Sequence, residues 1–252
     1  MHRPRIIPVL LLKGRGLVKS VQFKDHGYIG DPLNAVRIFN EFEADELIIL
    51  DIEASKEGRV ISIELVNAVA EETTMPLSVG GGIHSLDVIG SMVEAGVEKV
   101  VIGTHAAEDP TFIKQASNEF GSSTISVCVD AKKDPNGQYA VSIFGGGRMT
   151  HYGPVEFARL MESNGAGELI IQSVDRDGRM DGYDIDLINA VSSSVSIPVV
   201  ALGGAGKEMD LTRAITLGHA SAAAAGSLFV YQSRQRGVLI NYPADKSLLS
   251  DL

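Results

Sequence analysis

The sequence predicts a (β/α)8 barrel, a closed ring of eight parallel strands that are each followed by a helix. Three observations support this fold class: strand-like and helix-like segments alternate about eight times, the strand-like segments are almost continuously apolar, and the chain repeats itself once. Continuous apolar runs are typical of parallel strands covered on both faces. Alternation alone would also fit a doubly wound sheet. The length of 252 residues fits one barrel domain spanning residues 1–252.

The elements follow from hydrophobic periodicity. The apolar runs predicted as strands are 6–12, 47–52, 77–79, 100–103, 125–130, 169–174, 199–202 and 222–225. The amphipathic stretches predicted as helices include 63–70, 86–95, 155–163 and 209–217. The segment 14–30 contains several glycines and is predicted as a long loop, either a mobile lid that carries Lys19 or a plain flexible connection.

An internal repeat favours the closed ring over the open sheet. Residues 44–49 recur as 166–171, residues 65–69 recur as 187–191, and Gly96 recurs as Gly218, all at a spacing of 122 residues. Each copy contains four predicted strands and cannot close by itself. Two copies therefore predict a two-fold half-barrel repeat.

Composition excludes several classes of protein. The formal charge of −10 opposes binding to nucleic acid, so an anionic ligand must be held by local groups. The one cysteine, Cys128, lies in an apolar run and is predicted to be a buried structural thiol. The six histidines have no metal-ligand spacing, and neither a metal nor another cofactor is predicted. The first residues lead directly into a strand, and no apolar run could span a bilayer, so we expect a cytoplasmic protein without a membrane partner.

Glycine-rich strand ends predict two phosphate sites. In a barrel the active site lies at the carboxyl ends of the strands. Glycines there allow close approach of backbone amides to an anion, although tight turns alone would also explain them. One predicted site consists of Gly81, Gly82, Gly103 and Thr104, and its repeat counterpart consists of Gly203, Gly204, Gly226 and Ser227. Two sites on opposite sides of the mouth predict a phosphorylated small molecule with a phosphate at each end.

Acidic residues at the same end predict the catalytic groups. Asp130 ends the fifth strand and is the best candidate for a general acid or base, with Lys132 on the same face. Asp51 ends the second strand, where a structural or orienting role is an equal alternative to catalysis. Asp177 follows the sixth strand and could instead be a helix N-cap or a loop ligand.

Charged residues precede four strands at the opposite end. Arg5, Glu46, Lys99 and Glu168 stand immediately before the apolar runs of strands one, two, four and six. They should therefore lie around the bottom of the barrel, where two cations and two carboxylates could alternate. By themselves they fit ordinary charged strand starts on a solvated rim better than a salt-bridged ring.

The ordered motifs resemble the HisF family, the cyclase subunits of imidazole glycerol phosphate synthase. The similarity covers essentially the whole chain and rests on residues 5–8, 45–47, 50–52, 79–83, 129–132, 165–168, 175–178 and 203–207. It implies that a HisH-like glutaminase docks at the barrel bottom and that ammonia passes up the barrel to a substrate with two phosphates. It also implies that Arg5, Glu46, Lys99 and Glu168 form the ammonia gate, and that Asp130, Lys19, Asp177 and Asp51 belong to the active site.

The top face departs from the family pattern. The family has a catalytic aspartate at the end of strand one, where this chain has Leu11. The repeat indicates the same gap, because residues 10–13 correspond to 129–132 and only the second copy carries its acid, Asp130. Gly103 replaces an asparagine beside the phosphate, and Gln172 replaces a usual threonine. Loss of a general acid or base typically costs about 10²–10⁴ in rate.

Three hypotheses about function follow. The first is a paralog that takes ammonia from a glutaminase for another acceptor, similar to the HisF-like proteins of surface-polysaccharide pathways that work with a sugar amidotransferase and carry a Leu-Leu-Leu-Lys run. The second is a genuine cyclase of histidine biosynthesis, which Leu11 opposes. The third is a non-catalytic scaffold that channels ammonia between partners.

Overall fold

The computed structural model describes residues 4–232 and 237–243. Its strands, in chain order, are β1 (Arg5–Lys13), β2 (Gly16–Val21), β3 (Lys24–Gly30), β4 (Leu47–Asp51), β5 (Leu77–Gly80), β6 (Lys99–Ile102), β7 (Ile125–Lys133), β8 (Tyr139–Ile143), β9 (Arg148–Met149), β10 (Glu168–Ser173), β11 (Val199–Leu202), β12 (Ala222–Ala225), β13 (Tyr231–Gln232) and β14 (Gly237–Val238). Its helices are α1 (Pro32–Glu41), α2 (Ile63–Glu72), α3 (Leu86–Glu94), α4 (Thr104–Glu108), α5 (Thr111–Phe120), α6 (Pro154–Ser163), α7 (Ile185–Ser192), α8 (Glu208–Thr216) and α9 (Ser227–Val230).

Eight of these strands close into a parallel ring, which confirms the predicted (β/α)8 barrel. The ring order is β1-β4-β5-β6-β7-β10-β11-β12, and both β12 with β1 and β7 with β10 are parallel pairs. All eight predicted strands lie in this ring, with bounds that differ by a few residues at most. Among the described residues, no helix has the length and apolar character that crossing a membrane requires.

Local signals in the sequence explain where the helices begin. The side chains of Asp31, Ser62, Ser85 and Asp184 each accept a hydrogen bond from a backbone N–H in the first turn of α1, α2, α3 and α7, respectively. Such caps satisfy backbone donors that the helix itself leaves free. Because a cap fixes the first turn, each helix returns the chain at a defined point to the start of the next strand.

The barrel wall separates two apolar clusters. On β7, the side chains of Ile125, Val127 and Val129 belong to the outer cluster beneath the helices. The alternate residue Cys128 packs with the inner cluster, and Asp130 lines a cavity at the top. Strand alternation therefore places Ser126, Cys128 and Asp130 on the interior face of one strand.

The register of the barrel shows the two-fold repeat in three dimensions. Leu11 pairs with Leu50, and Asp130 pairs with Gln172. Leu50 and Gln172 are 122 residues apart, which is the spacing of the repeat. Leu11 and Asp130 therefore occupy equivalent positions in the two halves, as the sequence alignment of the halves predicts.

The segment 14–30 differs from its prediction as a loop. It forms the antiparallel strands β2 and β3, and β2 continues the sheet by pairing with β1. Its turn is attached to the loop after β10, because the backbone N–H of Gln22 donates to the carbonyl of Asp177 at 2.9 Å. The sequence signal for a loop was the glycine content, whereas Leu17 and Val18 are buried and hold the hairpin against the barrel.

Candidate functional site

The four charged residues at the bottom of the barrel form one ring. The guanidinium of Arg5 donates to the carboxylates of both Glu46 and Glu168. Lys99 Nζ lies 3.2 Å from Glu46 Oε2 and 3.2 Å from Glu168 Oε1. Cations and carboxylates thus alternate around the barrel axis.

The ring is largely removed from water. Glu46 and Glu168 are 2% and 5% exposed, so each carboxylate depends on its cations and on hydrogen bonds for stabilisation. Glu46 also accepts a hydrogen bond of 2.7 Å from the hydroxyl of Ser78. A plain solvated rim of strand starts does not describe this arrangement.

Replacing Lys99 tests how tightly the ring is coupled. Lys99→Met leaves two buried carboxylates with Arg5 alone, and we expect a loss of about 3 kcal/mol in the free energy of unfolding. Arg148→Met is the matched control, since Arg148 pairs with Glu108 on the surface, where an ion pair contributes about 0–1 kcal/mol. Denaturant unfolding measures both. Equal losses for the two variants would contradict a desolvated ring.

A cavity of about 320 Å³ opens at the opposite end of the barrel. Its lining includes the predicted residues Asp51, Gly81, Gly82, Gly103, Thr104 and Asp130. It also includes residues that the sequence analysis did not assign to a site, among them Lys56, Arg59, Cys128 and three histidines, His26, His84 and His105. The structure thus brings the first predicted phosphate site and two of the predicted acids together.

Asp51 is held on all sides within this cavity. Arg59 donates to both carboxylate oxygens of Asp51, at 2.5 and 3.3 Å. The backbone N–H groups of Glu53 and Ala54 donate to the same carboxylate at 3.0 and 3.1 Å. Four donors of the protein thus hold this carboxylate in place, and the geometry favours the structural alternative for Asp51.

Asp130 has the environment of an acid–base group. Burial in the barrel mouth raises its pKa to about 7; the thiol of Cys128, which donates to Oδ1 at 3.4 Å, opposes the rise, and the charge of Asp177 adds to it. An acid with this pKa exchanges protons near neutral pH. Lys132, on the same strand face, is directed elsewhere and donates to the carbonyl of Gly146 at 3.0 Å.

The pKa of Asp130 predicts a specific pH dependence of stability. The unfolded carboxyl has a pKa near 3.8, so folding takes up protons between pH 4 and 7 and this group costs increasing stability across that window. The cost is constant above the folded pKa. Asp130→Asn removes it, so the unfolding free energy of the variant should rise relative to wild type as the pH increases from 4 to 7. A difference that stays flat over this range would contradict the raised pKa.

Leu11 faces the same cavity as Asp130. Its side chain is 8% exposed and belongs to the inner apolar cluster with Val9 and Val18. The two halves of the barrel therefore present an acid on one side of the mouth and an aliphatic side chain at the equivalent position on the other.

The second predicted phosphate site does not open into this cavity. Gly226 and Ser227 line a separate cavity of about 20 Å³ together with Lys19 and Asp177. Gly203 and Gly204 line neither cavity; a Cβ on Gly203 would lie 2.9 Å from the carbonyl oxygen of Ser173, and one on Gly204 would lie 2.3 Å from that of Gly182. Close backbone packing at positive φ therefore explains both glycines.

Lys19 and Asp177 line the smaller cavity. Lys19 is buried and donates to the carbonyl of Val9 at 2.6 Å, and burial lowers its pKa to about 8 although Asp177 opposes the change. Asp177 accepts hydrogen bonds from Ser20 and Gln172 at 3.0 and 3.2 Å. Asp177 thus joins its loop to the hairpin and to β10, and it does not cap the next helix, because Asp184 is the N-cap there.

Comparison with known proteins gives the family. Residues 5–235 match the family described as Histidine biosynthesis protein. A HisF subunit of Leptospira borgpetersenii is 46% identical over 252 residues, covering 99% of each chain. The chain belongs to the HisF family. A hisF2 subunit of Pseudomonas aeruginosa is 45% identical, covering 96% of this chain and 97% of its own, and a hisF3 subunit of Vibrio vulnificus is 41% identical, covering 97% and 94%. All three are named provisionally as subunits of imidazole glycerol phosphate synthase.

Several cavity residues of this HisF-family barrel escaped the sequence analysis. Cys128, predicted as a buried structural thiol, is half-buried on the cavity wall. Its position two residues before Asp130, on the same strand face, was the feature of the sequence that could have predicted this. Arg59 is eight positions from its partner Asp51, and no local spacing rule links them. No group of three or more histidine, cysteine, aspartate or glutamate residues in the described part of the chain is arranged to hold a metal ion.

Proposed function

We propose that this HisF-family barrel is the synthase subunit of a glutamine amidotransferase complex. A HisH-like glutaminase docks at the end that carries Arg5, Glu46, Lys99 and Glu168, and ammonia enters the barrel between these side chains. The observation that carries the proposal is the closed ring of two cations and two buried carboxylates on the barrel axis. A movable lysine or arginine side chain in such a ring can admit a small neutral molecule while excluding ions.

The barrel interior supports passage of ammonia above the ring. The inner cluster is apolar, and β12 contributes only the small side chains of Ala222 and Ala224. The hydroxyl of Ser126 is buried beside Glu168 and has no hydrogen-bond partner within the described residues. A neutral ammonia molecule fits such surroundings, whereas an ammonium ion would lose its hydration without compensation. Ammonia would then arrive beside Cys128 and Asp130.

For the acceptor, we propose an acetamido sugar that a separate sugar amidotransferase converts to an acetamidino sugar. Leu11 supports this choice, because a leucine cannot transfer the proton that the family's cyclization requires. Vibrio vulnificus, the source of the hisF3 subunit, also has a hisF2 subunit that is 43% identical to this chain, which is consistent with additional copies that serve a second pathway. Asp130 and the glycines that line the larger cavity would then either bind a ligand or only stabilise the barrel fold.

A genuine cyclase of histidine biosynthesis is the second candidate. Asp130 favours it, because a carboxyl with a pKa of about 7 in an open cavity suits proton transfer. A barrel that only channels ammonia, without chemistry of its own, is the third. Stable glutaminase binding without turnover of any small substrate would favour this third candidate.

An ammonia-dependent cyclase assay separates the candidates. The chain is supplied with ammonium and the ribulosyl aminoimidazole substrate, and formation of imidazole glycerol phosphate is followed. Robust turnover would eliminate the paralog proposal and would require another group to replace the missing acid. No turnover, together with glutamine-dependent amidination when the glutaminase and the sugar amidotransferase are added, is the expected result.

A further inference from the structure

The two glycine sites at the barrel mouth are equivalent in sequence but differ in what fills them. The first cradle is the site formed by Gly81, Gly82, Gly103 and Thr104, and these residues line a cavity of about 320 Å³. In the second cradle, formed by Gly203, Gly204, Gly226 and Ser227, the first two glycines line neither cavity. Gly226 and Ser227 line a cavity of only about 20 Å³, which is room for about one water molecule. A phosphate group does not fit in the second cradle as it stands.

A side chain of the protein occupies the second cradle. A Cβ built on Gly226 would lie 2.2 Å from Lys19 Nζ, so the ammonium group lies directly against this glycine. The same Nζ donates to the carbonyl of Val9, and Asp177 provides a nearby negative charge. The cation therefore already has an acceptor and a counter-charge, and an added phosphate would face the carboxylate of Asp177.

The hairpin of β2 and β3 keeps Lys19 in this place. The hydroxyl of Ser20 donates to Asp177, and the side chain of Gln22 donates to the carbonyl of Asp175 at 2.9 Å. A Cβ on Gly178 would lie 1.9 Å from the carbonyl oxygen of Ser20, which shows how closely the loop after β10 approaches the hairpin. These contacts fix the part of the hairpin from which the side chain of Lys19 reaches Gly226.

The first cradle has free space and cations instead. Lys56 and Arg59 reach the cavity wall, and the ring of His84 lies 6.2 Å from that of His105 in an edge-on contact. Of the nearby carboxylates, Asp51 is paired with Arg59 and Glu108 with Arg148. One anionic group can therefore enter this side of the mouth beside two compensated carboxylates. Asp130 lines the same cavity, and burial raises its pKa to about 7, so it carries less than a full negative charge at neutral pH.

We propose that the barrel binds its small-molecule ligand by a single anionic group in the first cradle, because Lys19 fills the second. The ligand class is a sugar monophosphate or a polar molecule of similar size with one anionic end, rather than a bisphosphate. This deepens the proposed function by naming the ligand class, and it rests on the phosphate site of that proposal but not on ammonia transfer.

Calorimetric titration of the full chain with ribose 5-phosphate and ribulose 1,5-bisphosphate tests the ligand class. We expect both sugars to bind with dissociation constants that agree within a small factor. A second phosphate held by charged hydrogen bonds would strengthen binding about tenfold or more. Bisphosphate binding tighter by that amount, or no binding of either sugar at millimolar concentration, would overturn the proposal.

Paired variants show which cradle holds the anion. A Cβ on Gly103 would meet only Cys128 at 3.7 Å, so the cradle has room for Gly103→Asp and its uncharged control Gly103→Asn, and their melting temperatures show that both fold. Gly103→Asp should bind ribose 5-phosphate at least about tenfold more weakly than Gly103→Asn, because like charges repel. Ser227→Asp and Ser227→Asn in the second cradle should bind it equally. The opposite pattern would place the anion beside Lys19 and refute the proposal.

The outcome is independent of the proposed ammonia transfer. Glutamine-dependent transfer is measured with the assembled complex and does not require either sugar phosphate. A chain that transfers ammonia but prefers the bisphosphate would refute only the single-anion inference, and the reverse result would refute only the transfer.

Discussion

Wild-type protein supplied with ammonium and the ribulosyl aminoimidazole substrate should show no measurable cyclase activity. Leu11 occupies the position in the first half that Asp130 occupies in the second, and removal of a general acid or base lowers rates by about 10²–10⁴. The closed second cradle adds a separate obstacle, because the substrate carries two phosphates and Lys19 leaves only about 20 Å³ there. Continuous detection of imidazole glycerol phosphate measures the rate.

The Leu11→Asp variant separates the effect of the missing acid from the effect of the closed second cradle. If the missing acid were the only defect, this substitution would create cyclase turnover, and the pocket would still accept the substrate of the family. We expect no such gain, because the carboxylate does not displace Lys19 from Gly226. The melting temperature of Leu11→Asp controls for the cost of a carboxylate in the inner cluster.

Narrowing the barrel axis should uncouple glutamine hydrolysis from ammonia delivery. Ala224 is fully buried in the inner cluster, and Ala224→Val adds two methyl groups where ammonia is proposed to pass. Such overpacking typically costs about 1–3 kcal/mol of stability. If about 1.4 kcal/mol is added to the barrier for ammonia passage, delivery slows roughly tenfold. Glutamate release by the glutaminase should stay unchanged while glutamine-dependent amidination of the sugar falls.

The neighbouring alanine provides the control for this experiment. Ala223 lies on the same strand but faces the outer cluster, so Ala223→Val makes the same change outside the interior. It should leave amidination at the wild-type level when both variants melt at similar temperatures. Equal losses in the two variants would indicate a general packing defect and would contradict passage through the interior.

The barrel was predictable from sequence because its signals are local and repeated. Eight apolar strand runs and a fixed spacing of 122 residues define the ring, and the charged residue before a strand must lie at its bottom. The equivalence of Leu11 and Asp130 in the two halves also follows from the repeat. These properties depend on neighbours in the chain or on symmetry, which a single sequence contains.

Which of the two cradles is open to a ligand was less predictable, because this depends on side chains that only the fold brings together. The sequence has glycines in both cradles. Gly204 and Gly82 are explained by close backbone packing instead of an anion, because a Cβ would lie 2.3 and 1.9 Å, respectively, from a carbonyl oxygen. Only the folded position of the hairpin shows that Lys19 fills one cradle. The glycine content of 14–30 predicted a loop, and the buried apolar residues within it, such as Leu17, were the overlooked signal.

Isotope retention tests most directly whether nitrogen travels inside the barrel. The proposed complex of barrel, glutaminase and sugar amidotransferase is supplied with glutamine carrying ¹⁵N in its side-chain amide, in the presence of excess unlabelled ammonium. The nitrogen of the amidinated sugar is then analysed by mass spectrometry. Ammonia that enters through the ring of Arg5, Glu46, Lys99 and Glu168 should leave the product labelled with ¹⁵N. Dilution of the label to the composition of the bulk solution would contradict this path.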